Sequence, residues 1–429
     1  MTSKVPLSNL QLEFLKLYAD NVAEEDLKNI QRMIARYFAE KAIAQVDEIW
    51  DEKGYSAEQL LSEYQKLPIG IQSFREIREN QFLYVDKTET IFQLITEGKY
   101  YFLSRPRRFG KSLTLSTIKE IFQGGKELFD GLWIQDQWDW TKQHPVVHIS
   151  FSSIGYKELG LEKAIENRLK EIAKKANIIL KNKVLSQIFK ELIEKLSINN
   201  NVVILIDEYD KPIIDYLDDL PKAKEHQKTL KNFYSIVKDS DPYIRFLLIT
   251  GVSKISRASV FSELNHLDDI TIDWRFAALV GLTQEEVEDN FEAYLQTSQK
   301  ELNINREELL RDLKKWYNGY SWDGEIFVYN PFSILSFFQK SAFRGYWFFK
   351  GPPLFLTNVL KGTNLYQLGR TEIGQTTFDS FDVENIEIHS FLFHEGYLAI
   401  KRKEPFGLFI LGYPNREVEN SMLQYLAMG

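Results

Sequence analysis

Cysteine is absent from the 429 residues. That excludes disulfides, thiol catalysis and zinc or iron–sulfur sites built on cysteine, and it fits a reducing, cytoplasmic location. No run of about 18 uncharged apolar residues occurs, so no membrane-spanning helix is expected. The amino terminus, Met1-Thr-Ser-Lys4, leads into a polar helical pattern and not into the apolar core of a secretory signal. Histidines number only 6 and are scattered. His144 and His148 stand four apart, but Pro145 and a β-rich context deny them a shared helical face, so no metal site is read there. Positive charge is in deficit: 53 Lys and Arg against 61 Asp and Glu leave a net −8. A chain-wide field for nucleic acid is therefore excluded, and any such contact has to be local. There is no internal repeat and no low-complexity linker.

What the chain does have is apolar bulk. Hydrophobic residues make up 44% and aromatics 14%, with 30 Phe and 21 Tyr, so large rings are expected to dominate the cores. The length predicts two or three domains. Residues 1–65 read as a helical appendage, with Asn21 and Glu24 as a reciprocal cap and Leu27, Ile30, Ile34, Tyr37 and Phe38 at helical spacing. Its apolar stripe suits packing against a neighbour, and these helices are the expected docking point for a protein partner. Leu67-Pro68-Ile69-Gly70 marks a boundary. Beyond it, apolar strands at Tyr100–Leu103, Pro145–Phe151, Val202–Ile206 and Arg245–Gly251 alternate with helical segments, one running from about Leu159 to Leu196. Near-continuous apolar strands separated by helices predict a doubly wound parallel α/β sheet over residues 66–275. A mostly helical lid is expected over 276–345. It contains a helical stretch from 284 to 316, a short strand at Glu325–Tyr329 and a helix opened by Asn330-Pro331. Residues 346–429 read as a mixed region with a hairpin across Glu404-Pro405-Phe406-Gly407.

The most informative segment is Ser104-Arg-Pro-Arg-Arg-Phe-Gly-Lys-Ser112, set between an apolar strand and a helix. That is the context of a phosphate-binding loop, in which amides at a helix start and the helix dipole hold the phosphates of ATP. Lys111 would neutralise the β and γ phosphates and Ser112 would ligate Mg²⁺. Arg107, Arg108, Phe109, Gly110, Lys111, Ser112 and Leu113 are the expected nucleotide contacts. The first glycine of G-x-x-x-x-G-K-[ST] is replaced by Arg105, whose Cβ restricts positive φ. Alone, Gly110-Lys111-Ser112 also fits an ordinary basic turn. A second signal decides against that: the apolar strand Val202–Ile206 ends in Asp207-Glu208, where Asp207 would hold the magnesium and Glu208 would polarise the attacking water. Thr250, at the end of the next strand, would sense the γ-phosphate or position that water, with Ser253 as its neighbour; a strand-end cap is the alternative. Arg107, Arg108, Lys254 and Arg257 are candidate charge stabilisers. Asp215, Asp218 and Asp219 read as a solvated loop and Lys170–Lys183 as the wet face of a helix.

The chain resembles the predicted AAA-ATPase-like family of bacteria and archaea. The resemblance rests on Phe82-Leu-Tyr-Val-Asp-Lys-Thr88, Tyr101–Ser112, Ile204-Leu-Ile-Asp-Glu-Tyr-Asp-Lys-Pro212, Phe261–Thr271, Trp316-Tyr-Asn-Gly-Tyr320, Tyr329-Asn-Pro-Phe-Ser333 and Tyr346-Trp347 with Gly351-Pro352. It covers about residues 66–360. Members are signal-transduction-type P-loop ATPases, and their loop carries arginine where Arg105 stands. The resemblance implies ATP and Mg²⁺ as cofactors, Tyr84–Thr88 near the adenine, a lid helix starting at Asn330-Pro331, and a lid and winged-helix-like C-terminal region. Members are often fused to a C-terminal PD-(D/E)XK nuclease domain. Phe391–Ile400 and Gly412–Val418 resemble the approach to that domain, but no Asp followed by Glu-x-Lys on paired strands is found in the C-terminal region, so this chain is expected to lack the nuclease core. The expected function is a Mg²⁺-dependent ATPase acting as a nucleotide-controlled switch, with homo-oligomerisation open. The alternatives are a non-catalytic nucleotide-binding scaffold or partner-binding module, and the ATPase part of a nucleic-acid-processing or defence protein.

Overall fold

Four runs rich in Val, Ile, Leu and Phe, whose branched and aromatic side chains suit a pleated sheet buried on both faces, become the parallel strands expected of them. In the computed structural model these are β1 (Tyr100–Ser104), β2 (Val146–Ser150), β3 (Val202–Asp207) and β4 (Ile244–Gly251). A two-residue strand, β5 (Asp268–Asp269), joins β1 at the edge. The order across the sheet is β2-β3-β4-β1-β5. Every residue of β1 and β3 is buried. The described residues are 65–255, 260–261, 264, 266–347, 371–374 and 387–428. The expected appendage, Arg257 and Gly351-Pro352 lie outside them.

Among the described residues the helices longer than a single turn are, in chain order, α1 (Phe74–Glu79), α2 (Thr88–Glu97), α3 (Lys111–Phe122), α4 (Leu161–Lys175), α5 (Leu185–Leu196), α6 (Leu220–Tyr234), α7 (Gln284–Asn290), α8 (Glu292–Leu302), α9 (Arg306–Tyr317), α10 (Pro331–Lys340), α11 (Ile388–Glu395) and α12 (Arg416–Met428). Two long helices expected from periodicity are broken. Between α4 and α5, Asn177 takes a left-handed φ of 57°. The Glu191 carboxylate then accepts the backbone N–H groups of Lys181 and Asn182, which gives the interrupted turn its hydrogen bonds. Residues 284–316 divide into α7, α8 and α9: Asn303 sits at φ 53°, and Asn305 caps α9 by accepting the Glu308 N–H. The expected strand at Glu325–Tyr329 is reduced to single bridges, Tyr320 with Val328 and Leu282 with Tyr329. The capping box Thr283/Glu286 starts α7 as its sequence dictates.

Near the C-terminus, β6 (Thr371–Gly374), β7 (Ala399–Glu404) and β8 (Leu408–Gly412) form an antiparallel sheet in the order β6-β8-β7. The β7–β8 hairpin turns where Glu404–Gly407 predicted it, with Phe406 fully exposed at φ 64°. A large core under the parallel sheet is continuous with Phe391, Leu392, Ile400 and Leu411 of this C-terminal part. A second core joins Leu83 and Leu282 to α7–α10. No helix among the described residues is long and apolar enough to cross a membrane.

Candidate functional site

Parallel pairing aligns the strand ends. Ser104 lies opposite Gly251, and Leu103 opposite Thr250, across the β1–β4 pair. Ile206 lies opposite Ile249 across β3–β4. The carboxyl edge of the sheet, where open α/β sheets take their ligands, therefore brings together the Ser104–Gly110 loop, Asp207-Glu208 and Thr250. Gly110 begins α3 at φ 100°, a conformation that favours glycine, and a Cβ there would meet nothing within 4 Å. Gly110 therefore leaves free space at the start of α3, where a phosphate cradle would need it.

Ser112 Oγ donates to Asp207 Oδ2 at 2.5 Å. Thr250 Oγ1 lies 2.8 Å from Asp207 Oδ1 and 3.3 Å from the Ile206 carbonyl. Asp207 is thereby fixed from both sides. A hydroxyl and a carboxylate at this separation are hard oxygen donors of the type Mg²⁺ takes, with the remaining positions left to phosphate and water. Among the described residues no cluster of three or more His, Cys, Asp or Glu could hold a metal by itself. Lys111 is buried, and its Nζ donates to the carbonyls of Arg105 (2.7 Å) and Pro106 (2.9 Å). Burial lowers its pKa, opposed by Asp207, Asp210, Glu208 and Glu395. Glu208 takes φ 54°, a left-handed conformation that non-glycine residues adopt rarely and mostly at sites that require it.

Arg105 explains the altered loop. It is fully buried, and its Nη1 donates to the carbonyls of Ser104 (2.9 Å) and Thr271 (2.5 Å). Its guanidinium lies 4.1 Å from the Trp322 ring centroid. Burial pushes its pKa down to about 9, so it stays charged at neutral pH. The residue is a structural brace that ties β1 to the segment after β5.

The other expected contacts divide. Phe109 is buried against Tyr320 and Trp322, and its carbonyl accepts the Gly281 N–H at 3.1 Å. Arg108 lies over Phe332 at 4.0 Å and donates to the Tyr346 carbonyl at 3.3 Å. Leu113 faces an apolar cleft that is also lined by Pro68, Tyr84, Val85, Lys87, Gly110, Thr114, Val280, Leu282, Phe291, Pro331 and Leu335. That cleft brings the Tyr84–Thr88 segment and the start of α10 beside the loop. Asn330 caps α10 by accepting the Ser333 N–H. Lys87, on its wall, is tied to Glu286 and to the Ala278 carbonyl. Lys254 is held in an ion pair with Asp269 at 2.6 Å. Asp215 is not merely solvated: Tyr156 and Lys157 both donate to it. Lys170 and Lys175 are paired on α4, but Lys181 and Lys183 lie beyond its end, so the helical face expected over Lys170–Lys183 stops at Lys175.

Four acidic or aromatic residues had no site role in the sequence reading, although Asp210 and Trp347 lie inside the quoted segments Ile204–Pro212 and Tyr346-Trp347. Asp210 is buried, and its Oδ2 accepts the N–H groups of Val252 (3.0 Å) and Ser253 (2.6 Å). Burial raises its pKa to about 7. Glu395, at the end of α11, is buried beside Ser253, which donates to it at 3.4 Å, and burial raises its pKa as well. Trp347 Nε1 donates to the Arg107 carbonyl at 3.3 Å. Glu417 accepts the backbone N–H groups of Tyr346 and Trp347. For Glu395 the available signal was a carboxylate inside an apolar run, Phe391-Leu-Phe-His-Glu395.

The parallel sheet, with this loop and the Asp207 strand end on one edge, defines the fold of a P-loop nucleoside triphosphatase. The family model described as "Predicted AAA-ATPase" matches residues 68–261, and a model for a family of unknown function matches residues 1–65. A curated relative, the "Uncharacterized protein in vnfD 5'region" of Azotobacter chroococcum mcd 1, is 42% identical over 372 residues, which is 85% of this chain and 70% of that protein. The chain belongs to the predicted AAA-ATPase family, and it carries that family's nucleotide-binding ATPase-type domain. Among solved structures, the Aeropyrum pernix ORC1 protein in complex with DNA is similar over 86% of this chain and 97% of that one, at 11% identity and a TM-score of 0.29, a likeness too distant to carry an argument.

Proposed function

We propose that the chain is a Mg²⁺-dependent ATPase that works as a nucleotide-controlled switch. The observation that carries this reading is the Ser112–Asp207 hydrogen bond, with Thr250 behind it and Glu208 beside it at the carboxyl edge of the sheet. In this reading Lys111 and the first amides of α3 bind the phosphates. Ser112 and Asp207 would hold Mg²⁺, which when bound neutralises phosphate charge. Glu208 orients water, and Thr250 acts through Asp207 as a positioning residue. The apolar cleft beside Leu113 takes the base by shape and stacking. Residues 276–345 form the lid and the N-terminal 65 residues serve as a partner-docking appendage.

Phosphate release measured with and without Mg²⁺ tests this. Turnover is expected to require Mg²⁺ and to vanish, together with nucleotide binding, in Lys111→Ala; wild-type nucleotide affinity in that variant refutes the reading. One observation favours the second reading, a nucleotide-binding scaffold without turnover: Lys111 is satisfied by the loop's own carbonyls. Nucleotide binding with no phosphate release that depends on Glu208 would support it.

A further inference from the structure

The phosphate-binding loop makes contacts along nearly its whole length with residues far down the chain. His394 Nδ1 lies 3.2 Å from Ser104 Oγ. Gly396, at φ 87°, passes so close to Pro106 that a Cβ would fall 2.7 Å from the proline Cβ. Trp347 holds the Arg107 carbonyl, and Tyr346 receives Arg108. Beside these contacts is a small cleft lined by Arg107, Glu208, Asp210, Lys211, Val252 and Glu395. It lies beside Glu208, the residue that follows the last position of β3, and takes in Arg107 from the loop.

The charges in this cleft are unevenly committed. Asp210 is held by two backbone N–H groups, and Glu395 has only the long contact from Ser253. Arg107 faces the cleft with an exposed side chain, and Glu395 is the strongest influence on its charge, ahead of Asp210 and Glu208. A phosphate entering here would meet three carboxylates and two cations, Arg107 and Lys211; Lys211 already lies 3.5 Å from Asp215, which leaves Arg107 as the less committed of the two.

We propose that Glu395 is a positioning residue for the nucleotide site, which draws Arg107 toward α11 and competes for it with the γ-phosphate. The competition makes the C-terminal segment sensitive to whether the site holds a triphosphate or a diphosphate, because only the triphosphate reaches Arg107. This inference rests on the proposed nucleotide site and adds to it a residue from outside the residues matched to the ATPase family.

Titration calorimetry of the full chain with ATP and with ADP, both with Mg²⁺, tests it on Glu395→Gln, Arg107→Gln and the double variant. Glu395→Gln is expected to tighten ATP by about fivefold or more and to change ADP by less than about twofold, since charge pairs at a binding site act on the ligand that reaches them. Arg107→Gln is expected to weaken ATP by about tenfold and ADP hardly at all. In the double variant the effect of Glu395→Gln should disappear, as coupled residues require. Equal effects on ATP and ADP, or a Glu395→Gln effect that survives the loss of Arg107, overturn the proposal. Should Glu395→Gln not fold, the exposed Arg107 variant decides alone, and equal weakening of both nucleotides overturns it. A wild-type chain that binds neither nucleotide removes the underlying site and this inference together; binding without the ATP–ADP distinction removes only the inference.

Discussion

Ser112 and Asp207 meet across 2.5 Å, one on the first turn of α3 and the other at the last position of β3. The contact spans two elements that only the parallel sheet brings together, and it uses the two oxygen donors that a P-loop metal requires. Ser112→Ala is expected to weaken nucleotide binding in the presence of Mg²⁺ by about 10–100-fold, the usual range for damage to a metal's immediate support. Binding with excess EDTA should change little. Nucleotide titrations with and without Mg²⁺ measure both, and an equal loss in the two conditions would show that the hydroxyl serves the loop and not the metal.

Arg105 occupies the position of the missing glycine, and the structure makes it a brace between Thr271, Phe276 and Trp322. Arg105→Gly restores the common loop pattern, yet it is expected to destabilise the chain by about 3 kcal/mol through the loss of a buried, hydrogen-bonded cation. Chemical denaturation of the two proteins checks it. An Arg105→Gly protein as stable as the wild type would mean that the brace contributes nothing.

Glu208 is the carboxylate expected to orient water, and its φ of 54° turns it out of the β3 direction into the cleft beside Arg107. Glu208→Gln keeps the shape and removes the charge. Phosphate release is expected to fall by about 10²–10⁴-fold, the usual contribution of a positioned acid or base, with ATP retained. Single-turnover hydrolysis and nucleotide retention after gel filtration check it; unchanged turnover removes Glu208 from that role.

Much of this arrangement was legible in the chain. Local chemistry sets the limits of α3, because Gly110 follows an apolar strand and opens a helix at Lys111. Asp207 and Thr250 end apolar runs, so their place at one sheet edge followed from parallel pairing alone. The broken helices were less legible: Asn177 and Asn303 interrupt periodic patterns through left-handed backbone, a feature that hydrophobic spacing does not carry. Arg105 read as a departure from a motif because its partners Thr271, Phe276 and Trp322 are far away in sequence. Glu395 and Glu417 were missed for the same reason. They lie in segments that resembled the approach to another domain, and only folding brings them to the loop.

Glu417 provides a test that uses pH alone. It is fully buried on α12, accepts the N–H groups of Tyr346 and Trp347, and is pushed up to about 7 by burial. In the unfolded chain a glutamate titrates near ~4.3. Between these values the folded protein keeps a proton that the unfolded chain releases, so unfolding becomes easier as pH rises. The stability is fully present below about pH 4, declines up to about pH 7 and is flat above, for a total on the order of 3 kcal/mol. Glu417→Gln keeps an acceptor for the two N–H groups and removes the titration. The stability of the variant relative to the wild type is therefore expected to climb by about 1–3 kcal/mol between pH 5 and pH 8. Asp210, raised to about 7 as well, titrates in both proteins and cancels in the difference. Urea unfolding of the pair across that range measures it, and a difference that does not vary with pH would mean that Glu417 is ionised in the folded chain throughout.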